Sequence, residues 1–493
     1  MPRYKEEATM SLSVLRGVRW ALVVLALALV MGLATSHGHA CAHDTSKLCV
    51  PDSAGDGDLM ELGDVAAGTE LDATLAAAES FGVELIGHVD PGGGFNADVV
   101  AHEDNAYLGS WGTFGARRWC PSQGVRVYDL SDPSAPTHVS TFADRRNEPD
   151  VEGTWTEKVK VESVSTRWFT GDLAAVSFQN CVAGDDVFRG FGVYDVTDPA
   201  NPQRLALVKT DVNAGGSHEL YLDVRGDRVY VYTAIILSEL FTSPDGVTPG
   251  DPDFQIWEVT RPDRPRQVGE WGAWAELGVH PADIDDEGAF RVNFTHSVIA
   301  DGQGTAYLSY WDLGTIILDV SDPRNPTMIG RTDFAVDEEG NAHSAWTGRG
   351  GRLLVQTDED FFPFAGGGFE EAWGYTRFYD IADPANPVPL GTFEMPSTRL
   401  LPPGIGDFTV HDPKLDGNDL YLSYYSEGVV ILDITDVRNP VQKAQFVPTP
   451  AADPRGLFFP GEEFPFVWGV WLEDEYALAS DINSGLWVFR LED

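Results

Sequence analysis

The fold of this chain is decided by the stretch Phe294–Thr332, FTHSVIADGQGTAYLSYWDLGTIILDVSDPRNPTMIGRT, which recurs in variant form along most of the sequence. Four runs within it are rich in β-branched, aromatic or other apolar residues and are separated by turn residues: Ser297–Ala300, Ala306–Tyr310, Thr315–Val320 and Met328–Arg331. Such runs predict four successive antiparallel strands.

A proline-rich turn joins the third and fourth predicted strands. In Asp322–Pro326, DPRNP, two prolines fix φ and withhold backbone donors, so the segment cannot continue a strand. We expect the first Asp of each such turn to cap the turn with its own side chain. Similar turns occur at Asp132–Pro136, Asp198–Pro202, Arg261–Pro265 and Asp383–Pro387. A single four-stranded unit cannot bury both of its faces, so the units must stack on one another.

The number of strands predicts a closed ring. The last unit, which begins at Val467, has only three strands before the chain ends, and one unassigned strand, Val83–Val89, precedes the first unit. Together they make one complete unit. We therefore predict an all-β fold for residues 81–493: a seven-bladed β-propeller of four-stranded antiparallel blades, closed by pairing the N-terminal strand with the C-terminal blade.

The N-terminal region has the composition of an export signal. Residues 1–42 begin with basic residues, continue through the apolar run Trp20–Ala34 and end in small residues, which predicts a signal peptide. Residues 43–80 predict a flexible acidic linker. No later stretch is apolar enough to span a membrane, so we expect a mature protein that is secreted or held at the cell surface.

The charge of the chain excludes several kinds of partner. Its 493 residues carry a formal net charge of −44. A charge of this sign argues against nucleic acid and anionic lipid as partners. We expect a monomer whose partner is a protein, a glycan or a small ligand.

Segments of the repeat resemble a known family. GTIILDVSDPRNPTMIG (314–330) and GVVILDITDVRNPVQ (428–442) resemble LVIVD repeats, which occur in exported bacterial and archaeal propellers. THSVIADGQGTAYLSYWDLGTIILDVSDP (295–323) is also similar to surface proteins of the choice-of-anchor B family. The resemblance implies a propeller outside the cell. It implies no particular reaction.

Histidines begin four of the predicted inner strands at nearly the same place: His218, His296, His343 and His411. Four imidazoles at one channel mouth could bind Zn, Cu or Fe. Two alternatives stay open: each histidine could donate a hydrogen bond to a neighbouring blade, or take part in proton transfer. In blade two the pattern offers Glu162 near this position, and in blade seven it offers Trp468.

The strand directions place a second set of residues on the same face as the histidines. These residues follow the second strands, and most of the long insertions open onto that face: Trp111, Asp312, Asp358, Glu359, Glu427 and Asp481. With Glu162 and Trp468 they form the predicted ligand-binding face, because loops elaborated on one face of a propeller usually carry its binding site.

Two cysteines fall in equivalent loops of neighbouring blades. Cys120 and Cys181 each lie between the second and third strands, which brings both to the histidine face. We predict a disulfide between them, with two separate thiols as the alternative.

Recognised enzyme motifs are missing from the sequence. It contains no Gly-x-Ser-x-Gly, His-Glu-x-x-His, EF-hand or P-loop pattern. The leading prediction is therefore an exported, non-catalytic propeller that binds a protein, glycan or other surface ligand. The alternative is a metal-dependent enzyme, an oxidoreductase or hydrolase, that uses the histidine cluster.

Overall fold

The computed structural model describes residues 79–112, 120, 122–181, 186–210, 215–284, 290–335, 338, 340–361, 372–399 and 405–492. The predicted signal peptide, 1–42, and all but the last two residues of the predicted linker, 43–80, lie outside this range. Within it, no helix is long and apolar enough to cross a membrane.

Seven antiparallel sheets of four strands form the blades. The first three blades contain β2–β5 (Asn96–His102, Asn105–Ser110, Val125–Asp129, Thr137–Phe142), β7–β10 (Val159–Ser165, Thr170–Asn180, Gly190–Asp195, Gln203–Lys209) and β11–β14 (Glu219–Arg225, Arg228–Ala234, Phe254–Glu258, Arg266–Trp271). A short strand, β6 (Thr154–Trp155), extends the second sheet by pairing with β8.

The remaining blades follow the same plan. They contain β17–β20 (Ser297–Ala300, Thr305–Ser309, Thr315–Asp319, Thr327–Arg331), β21–β24 (Ala342–Gly348, Leu353–Asp358, Thr376–Asp380, Val388–Phe393), β25–β28 (Pro413–Asp416, Asp419–Ser423, Val429–Asp433, Val441–Phe446), and β31–β33 (Val467–Leu472, Ala477–Asp481, Gly485–Leu491) with β1 (Val83–Val89).

Small elements occupy the connections between and within blades. Two hairpins are formed by β15 (Ala282–Ile284) with β16 (Phe290–Val292) and by β29 (Ala451–Ala452) with β30 (Glu463–Phe464). The helices α1 (Ser238–Phe241) and α2 (Ala273–Leu277) and the 3₁₀ turns Pro149–Val151 and Pro396–Arg399 are all short. The regular secondary structure of the described residues is therefore almost entirely β-strand.

The predicted ring closure is confirmed, because β1 is the fourth strand of the last blade. It pairs antiparallel with β33 from Val83 opposite Leu491 to Val89 opposite Leu486. The pairing register shifts by a β-bulge between Leu85 and Gly87. The other six outer strands have a register shift at the corresponding place. A shared bulge shows that β1 follows the same geometry as the other outer strands.

Each proline turn connects two strands of its own blade, and several of these turns also contact the outer strand of the preceding blade. A Cβ built on Gly87 would overlap the carbonyl oxygen of Pro133, which belongs to the turn of the next blade. Gly269 and Gly330 approach the carbonyls of Pro323 and Pro384 in the same way. These outer strands therefore need glycine so that the neighbouring backbone can approach closely.

The aspartates of the proline turns are caps, as predicted. Asp322 accepts a hydrogen bond from the Arg324 amide at 3.1 Å and another from the Asn325 side chain at 2.7 Å. Asp383 and Asp436 make the same pair of contacts. Because these bonds favour the carboxylate, the pKa values of Asp322 and Asp436 lie below their usual range.

The apolar core lies between neighbouring blades. One cluster joins Val125 and Val127 of the first blade to Val159, Val161 and Val176 of the second. Similar clusters join the third blade to the fourth, the fifth to the sixth and the last blade to the first. Burial of both sheet faces in this way is what stacked blades require.

Candidate functional site

The strand ladders place one residue of every inner strand at the same level of the central channel. We call these residues the inner ring: Ala97, Glu157, His218, His296, His343, His411 and Trp468. Histidine occupies the ring in blades three to six, as the sequence predicts.

The four histidines form a continuous arc. The ring centroids of His218 and His296 are 4.2 Å apart, those of His296 and His343 are 4.0 Å apart, and those of His343 and His411 are 4.2 Å apart. All four side chains are buried. The Nε2 atoms of His218 and His296 lie 2.8 Å apart, within hydrogen-bond distance.

A second ring lies above the first, at the ends of the second strands. We call it the mouth ring: Trp111, Gln179, Ile236, Trp311, Glu359, Tyr425 and Ile482. Its carboxylate, Glu359, lies 3.5 Å from His343 Nε2 and 4.0 Å from His411 Nε2. The Tyr425 hydroxyl donates a hydrogen bond to Glu359 Oε1. A carboxylate, a phenol and two imidazoles therefore share one buried space.

The environment of the arc favours uncharged side chains. Burial, the neighbouring histidines and the Lys158 ammonium lower the pKa values of His296, His343 and His411 well below the usual range. Burial also raises the pKa of Glu359 well above its usual range, although the bond from Tyr425 acts in the opposite direction. Neutral imidazole is the form that binds metal ions.

On the blade-two side of the site, hydrogen bonds and packing connect His218 to the disulfide. His218 Nδ1 lies 2.7 Å from Gln179 Oε1, and the Trp155 indole donates to the same oxygen at 2.8 Å. Trp155 packs against Cys120 and Cys181. The predicted bond between these cysteines is present, with Cα atoms 5.3 Å apart and a sequence separation of 61.

A layer of buried ion pairs lies beneath the histidines. Lys158 Nζ is 2.9 Å from Asp98 Oδ2, 2.9 Å from Glu219 Oε1 and 4.0 Å from Asp412 Oδ2. Lys414 reaches Asp412 at 2.6 Å. Burial opposes the charge on Lys158, but the carboxylates raise its pKa well above the usual value. This layer fills the channel with fixed charge below the arc.

Only part of the predicted ligand-binding face lies at the channel. Trp111, Glu359 and Trp468 do, with the Trp111 and Trp468 rings 5.6 Å apart. The other carboxylates on this end accept bonds from nearby backbone or side-chain donors and so hold their loops: Asp312, Asp358, Glu427 and Asp481.

The predicted position of Glu162 is wrong. Glu162 is paired with Leu173 in the β7–β8 ladder, it is exposed, and its charge interacts with His102 rather than with the arc. The inner-ring position of blade two belongs to Glu157, whose Oε2 lies 3.1 Å from His218 Nδ1. Glu162 lies five residues further along the strand than Glu157, which places it roughly 16 Å away toward the opposite end of the channel.

Sequence reasoning identified Trp111 but missed the other two aromatic members of the mouth ring, Trp311 and Tyr425. Trp311 and Tyr425 have φ values of 44° and 39°, a left-handed conformation that is costly for large side chains. The signal that could have identified them is a repeated aromatic pair followed by glycine, YWDLG at 310–314 and YYSEG at 424–428. Both residues lie beside the arc, with ring centroids 5.3 Å apart for Trp311 and His296 and 5.2 Å apart for Tyr425 and His411.

The longer connections open at the end of the channel that holds the two rings. They include the segments between β12 and β13, between β14 and β17, and between β28 and β31. The opposite end has hairpins such as those between β2 and β3 and between β25 and β26, together with the proline turns. The predicted asymmetry between the two faces is therefore confirmed.

The strand order and closure define a seven-bladed β-propeller, and one end of its channel holds a buried histidine cluster. The chain contains an LVIVD repeat, because the family model described as LVIVD repeat matches residues 303–333. No curated protein sequence matches the chain. The similarity to the choice-of-anchor B family stays a prediction.

Two solved structures are similar to this chain over most of its length. The computationally designed Ika8 protein is 7% identical, with 82% of this chain and 99% of that chain covered and a TM-score of 0.45. Sqt1 of Saccharomyces cerevisiae is 10% identical, with 83% and 100% covered and a TM-score of 0.48. The fold assignment rests on the strand pairing of the chain itself.

Proposed function

We propose that this chain is an exported, non-catalytic propeller that binds a ligand at the loop-bearing end of its channel. The observation that carries the proposal is a contrast between repeated positions. Where a position serves the fold, the blades are alike, as the turn aspartates Asp322, Asp383 and Asp436 show. The mouth ring differs from blade to blade: aromatic, amide, carboxylate and aliphatic side chains occupy its equivalent places, and all of them are buried. Positions that escape the repeat are the ones adapted to a specific partner.

The composition of this end narrows the ligand class. Trp111 lies with its ring centroid 6.0 Å from Trp155 and 5.6 Å from Trp468, so aromatic rings wall one side of the mouth. Imidazoles and the Glu359 carboxylate form the other side. Because the chain carries a net charge of −44, the partner we propose is a neutral or cationic surface ligand, such as a glycan or a basic protein segment.

Binding can be tested with a matched pair of tryptophan variants. The full chain, exported by a bacterial host, is titrated with neutral glycans and basic peptides while intrinsic fluorescence is followed. Trp468→Ala should abolish binding, whereas Trp168→Ala should leave it unchanged, because Trp168 is 52% exposed and lies in the β7–β8 hairpin at the opposite end. Binding that survives Trp468→Ala, or that is lost in both variants, would contradict the proposal.

Export is tested separately. Residues 1–42 fused to a reporter enzyme that is active only outside the cytoplasm should give activity, and Leu27→Arg, which places a charge in the apolar run, should abolish it. A reporter that stays inactive in the unmodified fusion would contradict export.

A second function, that of a metal-dependent oxidoreductase or hydrolase, is favoured by one observation. Glu359 approaches both His343 and His411 in a buried space. The first requirement of such an enzyme is a bound metal ion.

A further inference from the structure

We propose that His296, His343, His411 and Glu359 bind one transition-metal ion of the kind that imidazole nitrogen prefers. The inference deepens the proposed function, since it assigns a ligand class to the same end of the channel. It does not depend on the identity of any larger partner.

The spacing of the donor atoms fits a single ion. One ligand atom from each of His296, His343 and Glu359 lies within 4.8 Å of the other two. Donors about 2.0–2.1 Å from a tetrahedral ion lie roughly 3.3 Å from one another. The 3.5 Å between His343 Nε2 and Glu359 Oε2 is already close to that value.

The orientation of His343 leaves the correct nitrogen free. Its Nδ1 lies 3.2 Å from the carbonyl oxygen of His411 in the next blade. A carbonyl only accepts, so in the tautomer that makes this bond Nδ1 carries the proton and Nε2 presents its lone pair toward Glu359. The Ser344 hydroxyl lies 2.8 Å from Nδ1 and can accept from it as well. The contact with His411 is the blade-to-blade bond that the sequence suggested as a structural alternative. Metal-binding histidines make such a bond with their second nitrogen, so it orients the ligand rather than competing with the metal.

His411 supplies an independent observation. Its side chain is 1% exposed, and its Nε2 has no hydrogen-bond partner among the described residues. A buried polar nitrogen without a partner is destabilising and rare in folded proteins. His411 Nε2 lies 4.0 Å from Glu359 Oε1. A metal ion held by Glu359 would satisfy this nitrogen.

Tyr425 is a positioning residue for the proposed site. Its hydroxyl donates to Glu359 Oε1, which leaves Oε2 directed at His343. The left-handed backbone of Tyr425, with φ 39°, brings the ring to this position. Backbone strain of this kind persists where the surrounding structure requires it.

The test uses the full chain, exported and purified without a polyhistidine tag, and stripped with a chelator. Titration with Zn²⁺, followed by measurement of metal content after gel filtration, should give one ion per chain. Co²⁺ should produce the visible absorption bands of a low-coordinate nitrogen and oxygen site. His343→Ala and Glu359→Gln should weaken Zn²⁺ binding by about 100-fold or more, and Tyr425→Phe by about 10- to 100-fold.

His138→Ala is the matched control, because His138 is an exposed histidine on the outer strand β5. It should bind Zn²⁺ like the unmodified chain. Melting curves of the stripped variants show whether each is folded, and Glu359→Gln keeps an acceptor for Tyr425. An unmodified chain that retains no stoichiometric metal would overturn the site, as would Glu359→Gln binding as tightly as His138→Ala. Either result leaves the glycan and peptide titrations unaffected, so the two proposals fail separately.

Discussion

The closure of the ring can be tested by adding a single methyl group. Gly87 lies in β1 against the turn of the first blade, and a Cβ there would come closer than 3.0 Å to the carbonyl oxygen of Pro133. Because the obstacle is backbone, the substitution Gly87→Ala must push β1 away from the blade. Overpacking of this kind costs about 1–3 kcal/mol.

The matched control is Gly391→Ala. Gly391 occupies the corresponding site of β24, but a methyl carbon added there would lie 3.5 Å from the nearest atoms of the next turn, in Val437 and Arg438. Here the extra carbon fits, and the loss of backbone freedom in the unfolded chain should stabilise the protein by about 0.4–1 kcal/mol. The two variants differ only in how closely the neighbouring turn approaches.

Urea denaturation followed by tryptophan fluorescence measures both variants, with stabilities obtained by linear extrapolation. Trp487 reports on β1 directly, because its ring stacks on His88 with centroids 3.7 Å apart. Gly87→Ala should lower the midpoint and should expose Trp487 to a soluble quencher before the ring unfolds. Equal midpoints for Gly87→Ala and Gly391→Ala would refute the close contact between β1 and the proline turn of the first blade.

The closing strand, the disulfide, the buried ion pairs and the Asp407 carboxyl can each be tested separately. Deleting residues 1–90 removes β1 and should lower the melting temperature and promote association through the exposed edge of β33; calorimetry showing an unchanged melt would contradict closure. Replacing Cys120 and Cys181 by Ser should cost up to about 4 kcal/mol in urea titrations, and alkylatable thiols at both positions in the exported protein would exclude the bond. Lys158→Met leaves the carboxylates of the buried layer without their cation. It should lower the free energy of unfolding by about 3–5 kcal/mol in the same urea titration. Burial raises the pKa of Asp407 from 3.8 to about 7, so the folded state loses stability as the pH rises between these two values. Asp407→Asn should therefore be more stable than the unmodified chain at about pH 8, by at most about 4 kcal/mol. At about pH 4 the two proteins should be equally stable.

The sequence was sufficient for the fold because each blade is specified locally. The prolines of turns such as Asp322–Pro326 end one strand and begin the next, and strand pairing follows from chain order. The disulfide could be predicted for a similar reason. Cys120 and Cys181 occupy equivalent loops of adjacent blades, and the ring brings such loops together.

The site was only partly predictable. The four histidines were found because they share a register, and the ladders confirm it. Glu157 was missed because it precedes β7, so the pattern of the strand itself directed attention to Glu162. Which carboxylate of a loop meets the channel depends on the side chains around it: Asp358 is held by Arg377, whereas its neighbour Glu359 faces the arc. Such a distinction requires atomic positions.

The strand that seals the ring also sets the order of events as the protein is made. β1 is the first strand of the described residues, but its partner β33 is encoded about 400 residues later, from Val83 to Leu491. At about 5–20 residues per second, synthesis takes roughly 20–80 s to bring the two together. During that time β1 lacks its partner, and the pairing of β1 with β33 then completes the last blade and closes the ring. Resistance to protease that depends on the closed ring should therefore appear only after β33 has been made.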